Sequence, residues 1–293
     1  MIGMEHIVLG YDGSEAARSA LEWVAARAAR RPIEVTVVVI ADMFDAERPV
    51  IRAQQDEATQ RLRELAPTTR VDGRMFDGVM PGTIVKASRD ADLLVIGVHT
   101  GRRLRAFLNG AIPLRVSTRS EVPVCLVPAG WDGRDGAVAV GLSDDDSSDA
   151  ALAFAVREAA ASGRVLRIVH SWLMTAPGSP SATGAPHPTA AAGHRARLQA
   201  VVDGITRSRP EVTVEPVLVR DNPAAALAAT ASRDALLVIG THHRGVLSGG
   251  FLGSVAWDLV GQVARPVLVV PSVAAAAAGP PADAADLPRK VSW

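Results

Sequence analysis

Short apolar runs alternate along this chain with longer Ala/Arg/Glu-rich stretches, the rhythm of an α/β protein. Ile7-Val8-Leu9 has the look of a buried strand. Ser14 to Arg30 predicts a helix with Ser14 at its N-cap, where a hydroxyl oxygen can accept one of the helix's orphan N–H bonds. Val35 to Ile40 is a continuous apolar run of strand length, as expected of a strand covered on both faces. Gln54 to Leu65 predicts a helix, Val71 to Phe76 a strand and Thr83 to Arg89 a short helix. Leu93 to Ile96 and Val122 to Val127 complete the strand set. The same order then recurs, with strands near 137–141, 165–169, 212–219, 236–239 and 267–270. Five strands alternating with four helices imply a parallel sheet with right-handed crossovers in each half. Such sheets bind ligands beyond the carboxyl ends of their strands, where the strand order switches. Three loops in each half are therefore candidates: those after strands one, two and four.

The recurrence is literal. Ala-Ser-Arg-Asp-Ala-Asp-Leu-Leu-Val-Ile-Gly at 87–97 returns, one residue shorter, as Ala-Ser-Arg-Asp-Ala-Leu-Leu-Val-Ile-Gly at 231–240. Gly97 and Gly240 lie 143 residues apart, as do Gly110 and Gly253, Pro123 and Pro266, and Pro128 and Pro271. Near the start of each unit the offset is 131, pairing Gly10 with Gly141 and Leu21 with Leu152. A period this long marks a duplicated domain rather than a solenoid repeat. The units are placed at 1–130 and 135–271, with a flexible tail over 272–293. The second unit is longer in its middle, and Thr175 to Gly193, rich in Pro, Ala, Ser and Gly, is expected to be a mobile loop.

Composition narrows the partners. The chain has 293 residues and a formal net charge of zero, so no general basic field would attract nucleic acid or an anionic membrane, and neither is expected as a partner. A single cysteine cannot form an internal disulfide, which favours a reducing cytoplasm. No basic-then-apolar leader opens the sequence, and no stretch approaches the roughly 18–20 apolar residues needed to cross a bilayer.

The loop after strand four in the second half runs from Gly240 through Gly245 and Gly253 to Ser254 and Val255. Glycines followed by Gly-Ser at a helix start suit an anion, because the backbone can approach closely and the first helical N–H groups point outward. This loop resembles the universal stress protein pattern, Gly-x2-Gly-x9-Gly-Ser/Thr: Gly240, two residues, His243, nine residues, then Gly253-Ser254. Val8-Leu9-Gly10-Tyr11-Asp12-Gly13-Ser14 resembles the opening motif of the same family, and the resemblance covers both halves. It implies two tandem five-stranded, parallel-sheet α/β domains of adenine-nucleotide-binding, Rossmann-like type. Relatives pair through the last strand, so an internal pseudo-dimer is expected, with homodimerisation of the whole chain left open.

The resemblance also implies a nucleotide site, and the two halves retain different parts of it. Asp12 stands where ATP-binding relatives use a carboxylate to contact the nucleoside; the matching residue in the second half is Ser143. Ile40 and Ser171 stand at the positions that flank adenine, after strand two. The first strand-four loop leaves Gly97 and reaches Gly110-Ala111-Ile112-Pro113, losing the hydroxyl and, at Pro113, a backbone N–H in the first turn. The second keeps Gly253-Ser254-Val255, so ATP or a related adenine nucleotide is expected there. The implied function is a nucleotide-responsive stress or dormancy regulator with an unknown protein partner. The alternatives are a nucleotide-free scaffold with both sites degenerate, or a slow ATP hydrolase.

Other signals point to no catalytic residue or metal. Cys125, in Val-Pro-Val-Cys-Leu-Val, is a core thiol by pattern. His242-His243 has no cysteine or carboxylate at ligand spacing, and His170, ending a strand, is expected to be structural. Asp144-Asp145-Asp146 is expected to cap a helix, magnesium being its alternative should nucleotide bind. Arg102, Arg103 and Arg105 form a solvated charge run, with phosphate pairing the alternative. No Gly-x4-Gly-Lys-Ser/Thr loop and no Ser/His/Asp set can be assembled, so weak ATP hydrolysis is the most that catalysis would amount to.

Overall fold

A computed structural model of the protein describes residues 4–41, 47–99, 112–144, 146–172, 188–241, 259 and 264–271. The first half runs β1 (Glu5–Gly10), α1 (Glu15–Ala28), β2 (Ile33–Ala41), α2 (Arg48–Leu65), β3 (Arg70–Asp77), α3 (Gly82–Ala87), β4 (Leu93–Val98), α4 (Ile112–Arg119) and β5 (Val124–Pro128). The second runs β6 (Val138–Leu142), a 3-10 turn (Asp146–Ser148), α5 (Asp149–Ser162), β7 (Leu166–Ser171), α6 (Pro188–Ser208), β8 (Val214–Val219), α7 (Pro223–Ala231), β9 (Leu236–Gly240) and β10 (Val267–Val270). No helix among the described residues is long and apolar enough to cross a membrane.

The ten strands among the described residues join one sheet in the order β3-β2-β1-β4-β5-β10-β9-β6-β7-β8. Each half is parallel, and its order reverses between its first and fourth strands. The register repeats as well: Gly10 pairs with Val38 and Gly141 with Val169, each partner 131 residues on. The halves join through their last strands, β5 and β10, which run antiparallel with Leu268 opposite Cys125. The expected internal pairing is thus present, and it covers an edge that each half alone would leave open.

Side chains alternate across the sheet, so each face has its own core. Along β4, Leu93 and Val95 join the core beneath α1, α2, α5 and α6, while Leu94 and Ile96 join the core beneath α3, α4 and α7. Both cores run through both halves. This two-faced burial is why the strands read as unbroken apolar runs rather than alternating ones.

One expectation about the chain's course is corrected. The last part of the segment assigned to a mobile loop, up to Gly193, is helical, because α6 begins at Pro188. Proline suits the first position of a helix, and the alanines at 190–192 are strong helix formers. The rest of that loop and the tail 272–293 lie outside the described residues.

Between the halves lies a buried ion cluster. Arg27 of α1, 4% exposed, donates to both carboxylate oxygens of Glu5 at 2.8 and 2.9 Å and to both of Glu158 in α5 at 2.8 Å. Arg31 adds a bond to Glu158 at 2.9 Å. Burial opposes the charged form of Arg27, but Glu158 and Glu5 outweigh it and hold the guanidinium protonated.

Candidate functional site

The carboxyl edge of the sheet collects the residues singled out in the sequence. Gly10 ends β1, Gly141 lies next to the end of β6, Ile40 is the penultimate residue of β2, and Ser171 ends β7. Gly97 is the penultimate residue of β4 and Gly240 ends β9. Gly110, His243, Gly245, Gly253, Ser254 and Val255 lie outside the described residues, as do Arg102, Arg103 and Arg105.

In the first half the strand-one loop is tied to the helix it feeds. Gly13 has φ +74°, a left-handed conformation that glycine adopts without strain. This turn lets the Asp12 carboxylate accept from the Ser14 backbone N–H at 3.0 Å, while the Ser14 hydroxyl accepts from Ala17 N–H at 3.1 Å. Ser14 is therefore the N-cap that its position predicts. Asp12 is exposed, with one oxygen engaged in the turn. Pro113 is the second residue of α4, inside its first turn.

The second half solves the same corner with hydroxyls. Ser143 donates its backbone N–H to Ser148 Oγ at 3.1 Å, and its own hydroxyl lies 2.9 Å from that of Ser147. Arg197, from α6, donates to the Ser143 carbonyl at 3.1 and 3.3 Å. The N-cap of α5 is Ser148, with no capping bond from that side chain, and Asp145 of the aspartate run lies outside the described residues. Asp144 instead turns toward two histidines, His170 and His194. Asp144 precedes the 3-10 turn that begins at Asp146 and leads into α5, which removes it from capping distance in sequence.

Strand-four glycines serve packing as much as ligand approach. A Cβ on Gly97 would overlap the backbone of Ala16 and Ala17 at the start of α1, and one on Gly240 would overlap the carbonyl of Ser147 before α5. The start of α1 in the first half and the 3-10 turn ahead of α5 in the second thus cross the end of the fourth strand at backbone contact, bringing the loops after strands one and four together. Thr241, next in the chain after Gly240, is 3% exposed, and its hydroxyl has no hydrogen-bond partner among the described residues.

His170 is wholly buried at the end of β7, and Trp172 follows β7 and stacks on His194 of α6, ring centroids 5.0 Å apart. Arg220, next after β8, lies over the same indole at 5.7 Å. Sequence spacing gave no sign of this cluster: His194 is 24 residues from His170, and only the return of α6 along the sheet brings them together. The first half has Val39 where the second has His170, so the arrangement belongs to the second half alone. A separate cavity of about 340 Å³ lies between α1 and α2, lined by Tyr11, Arg18, Glu22, Glu57, Arg61 and Glu64 among others. Three carboxylates against two guanidiniums make it unsuited to a polyphosphate.

Comparison with known proteins agrees with this architecture. The universal stress protein family model matches residues 3–128 and again 136–271. Universal stress protein Rv2005c of Mycobacterium tuberculosis is 27% identical over 288 residues, covering 90% of this chain and 96% of the relative. Universal stress protein Rv2623 of the same organism is also 27% identical, with 90% and 95% covered. Among solved structures, a universal stress protein from Archaeoglobus fulgidus superposes with a TM-score of 0.66 at 18% identity, covering 91% of this chain and 96% of that one. A structure described as a putative universal stress protein from Pseudomonas aeruginosa gives 0.58 at 16% identity, with 93% and 96% covered. Two matched units, a repeated strand register and a sheet joined through the last strands lead to one conclusion: the chain belongs to the universal stress protein family, as a tandem member.

Proposed function

We propose that the protein is a regulatory universal stress protein that binds an adenine nucleotide, ATP foremost, at the carboxyl edge of its second half. The observation that carries this reading is Thr241. A buried hydroxyl without a partner among the described residues sits at the base of the second strand-four loop, beside the switch in strand order where such sheets take ligands. The same loop carries the Gly253-Ser254 phosphate signature. In the first half, Asp12 is partly committed to its own turn and Pro113 removes a helical N–H. Nucleotide bound at one edge would order the surrounding loops and so bias a surface presented to a protein partner.

Titration calorimetry with ATP tests the assignment. Ser254→Ala and Gly253→Val each remove phosphate contacts and should weaken binding at least about tenfold, the loss expected of a hydrogen bond to a charged group. Gly110→Val in the first half should leave affinity unchanged. Full affinity in both second-half variants would sink the assignment.

A nucleotide-free scaffold is the second reading, and one observation favours it. The edge at β6 and β7 is already filled, with Arg197 on the Ser143 carbonyl and His194 stacked on Trp172. Mass spectrometry of any nucleotide that co-purifies separates the two: a protein that emerges empty and ignores added ATP is the scaffold.

A further inference from the structure

We propose that Asp144, His170 and His194 bind one divalent transition-metal ion of zinc type at the carboxyl edge of the second half. Among the described residues this is the one place where three such side chains converge. His170 Nε2 and His194 Nδ1 are 2.9 Å apart, and Asp144 Oδ1 lies 3.5 Å from each. The circle through those three atoms has a radius of about 1.9 Å. Three ligands forming the base of a tetrahedron around zinc, at bond lengths of about 2.05 Å, define a circle of about the same radius. The ligand atoms are thus already at coordination spacing.

The surroundings prepare the donors. His170 Nδ1 lies 2.9 Å from the Leu142 carbonyl, which can only accept, so the ring carries its proton on Nδ1 and a bare lone pair on Nε2. A histidine held this way by a backbone carbonyl is in the tautomer a metal needs, with its ring orientation fixed. His170 is fully buried within the sheet edge, and His194 is braced by its stack on Trp172, so neither ring needs large reordering. Without an ion, His194 Nδ1 supplies the proton of the His170–His194 hydrogen bond; to ligate, it moves that proton to its own Nε2. Two imidazoles and one carboxylate suit zinc and its neighbours rather than magnesium or calcium, which require oxygen ligands. Because the loop after β6, β7 and α6 each contribute one ligand, a bound ion would clamp α6 to the sheet.

This inference does not depend on nucleotide binding, and its test uses Zn2+ alone with the full chain in nucleotide-free buffer. Calorimetry should show one ion bound at micromolar affinity or tighter, with a change in the emission of Trp172 that is absent in Trp172→Phe. His194→Ala should weaken binding by about 100-fold or more, removing a ligand being at least as costly as removing its supporting partner. Asp144→Asn, at an exposed side chain where folding is not at stake, should weaken it about tenfold or more. His242→Ala with His243→Ala should bind as the unaltered protein does. The assignment is overturned if the unaltered protein binds no Zn2+ below about 100 µM, a dissociation constant that a three-ligand site should surpass. It is equally overturned if Asp144→Asn and a folded His194→Ala keep full affinity, or if the His242/His243 variant loses it.

Discussion

Gly97 and Gly240 show how a single residue can serve the fold and the site together. Gly97 touches the start of α1, and Gly240 the 3-10 turn ahead of α5, through backbone atoms, which cannot swing aside as a side-chain tip could. Gly97→Ala and Gly240→Ala should each lower unfolding free energy in urea by about 2 kcal/mol or more, the cost of overpacking against a rigid neighbour. Gly193 provides the contrast. It is in α6 with nothing within 4 Å of a built Cβ, and Gly193→Ala should stabilise by about 0.5–1 kcal/mol. If the strand-four alanines proved neutral, the close crossing would be wrong. At this scale, sequence pattern reveals that the glycines matter but assigns them to ligand approach; that backbone occupies the space is visible only once α1, and the 3-10 turn that leads into α5, are docked.

At the scale of elements, the decisive contact is the antiparallel pair of β5 and β10. Cys125 and Leu268 face each other there, both fully buried, and burial pushes the thiol far above its ordinary pKa. Such a thiol is inert. As the chain's single cysteine it reports on the seam without interference. A thiol reagent should leave the native protein unlabelled and react only as fast as the seam opens; rapid labelling under native conditions would mean the strands are not paired. Strand positions were legible because burial on both faces leaves long apolar runs, while pairing of the last strands was expected from the family resemblance, and covering an open edge is its physical reason. The start of α6 was not legible, since Pro, Ala and Gly mark loops as readily as helix beginnings. The Asp144–His170–His194 cluster was hidden for a related reason: its members come from a loop, a strand and a helix, and their proximity depends on the path of α6 rather than on any spacing.

For the whole molecule, the two cores and the Arg27–Glu158 pair tie the halves into one body. Burial alone would raise the pKa of Glu158, but Arg27 and Arg31 outweigh it and hold the carboxyl below its usual value. A depressed carboxylate contributes its full stabilisation above its unfolded pKa, about 4.3, and loses it as pH falls through the lower folded value. Glu158→Gln should therefore cost about 3 kcal/mol at pH 7, leaving a buried guanidinium with one carboxylate in place of two. The gap between variant and unaltered protein should narrow below about pH 4. Denaturation measured at pH 7 and pH 3 checks both statements, and a gap independent of pH would contradict them.

That ion pair has a further consequence. Residues 27 and 158 are 131 apart, the offset that relates Gly10 to Gly141, so they are the same position in the two copies. Two identical halves meeting in this way would set guanidinium against guanidinium, or carboxylate against carboxylate, at the centre of the contact. Duplication within one chain has released the position from that symmetry and allowed each copy to become the complement of the other. Two second halves would meet carboxylate to carboxylate with neither Arg27 nor Arg31 to offset them, whereas in two first halves each Arg27 would keep its own Glu5. The opposite charges at this position thus favour the pairing of unlike halves, which their covalent fusion supplies one to one.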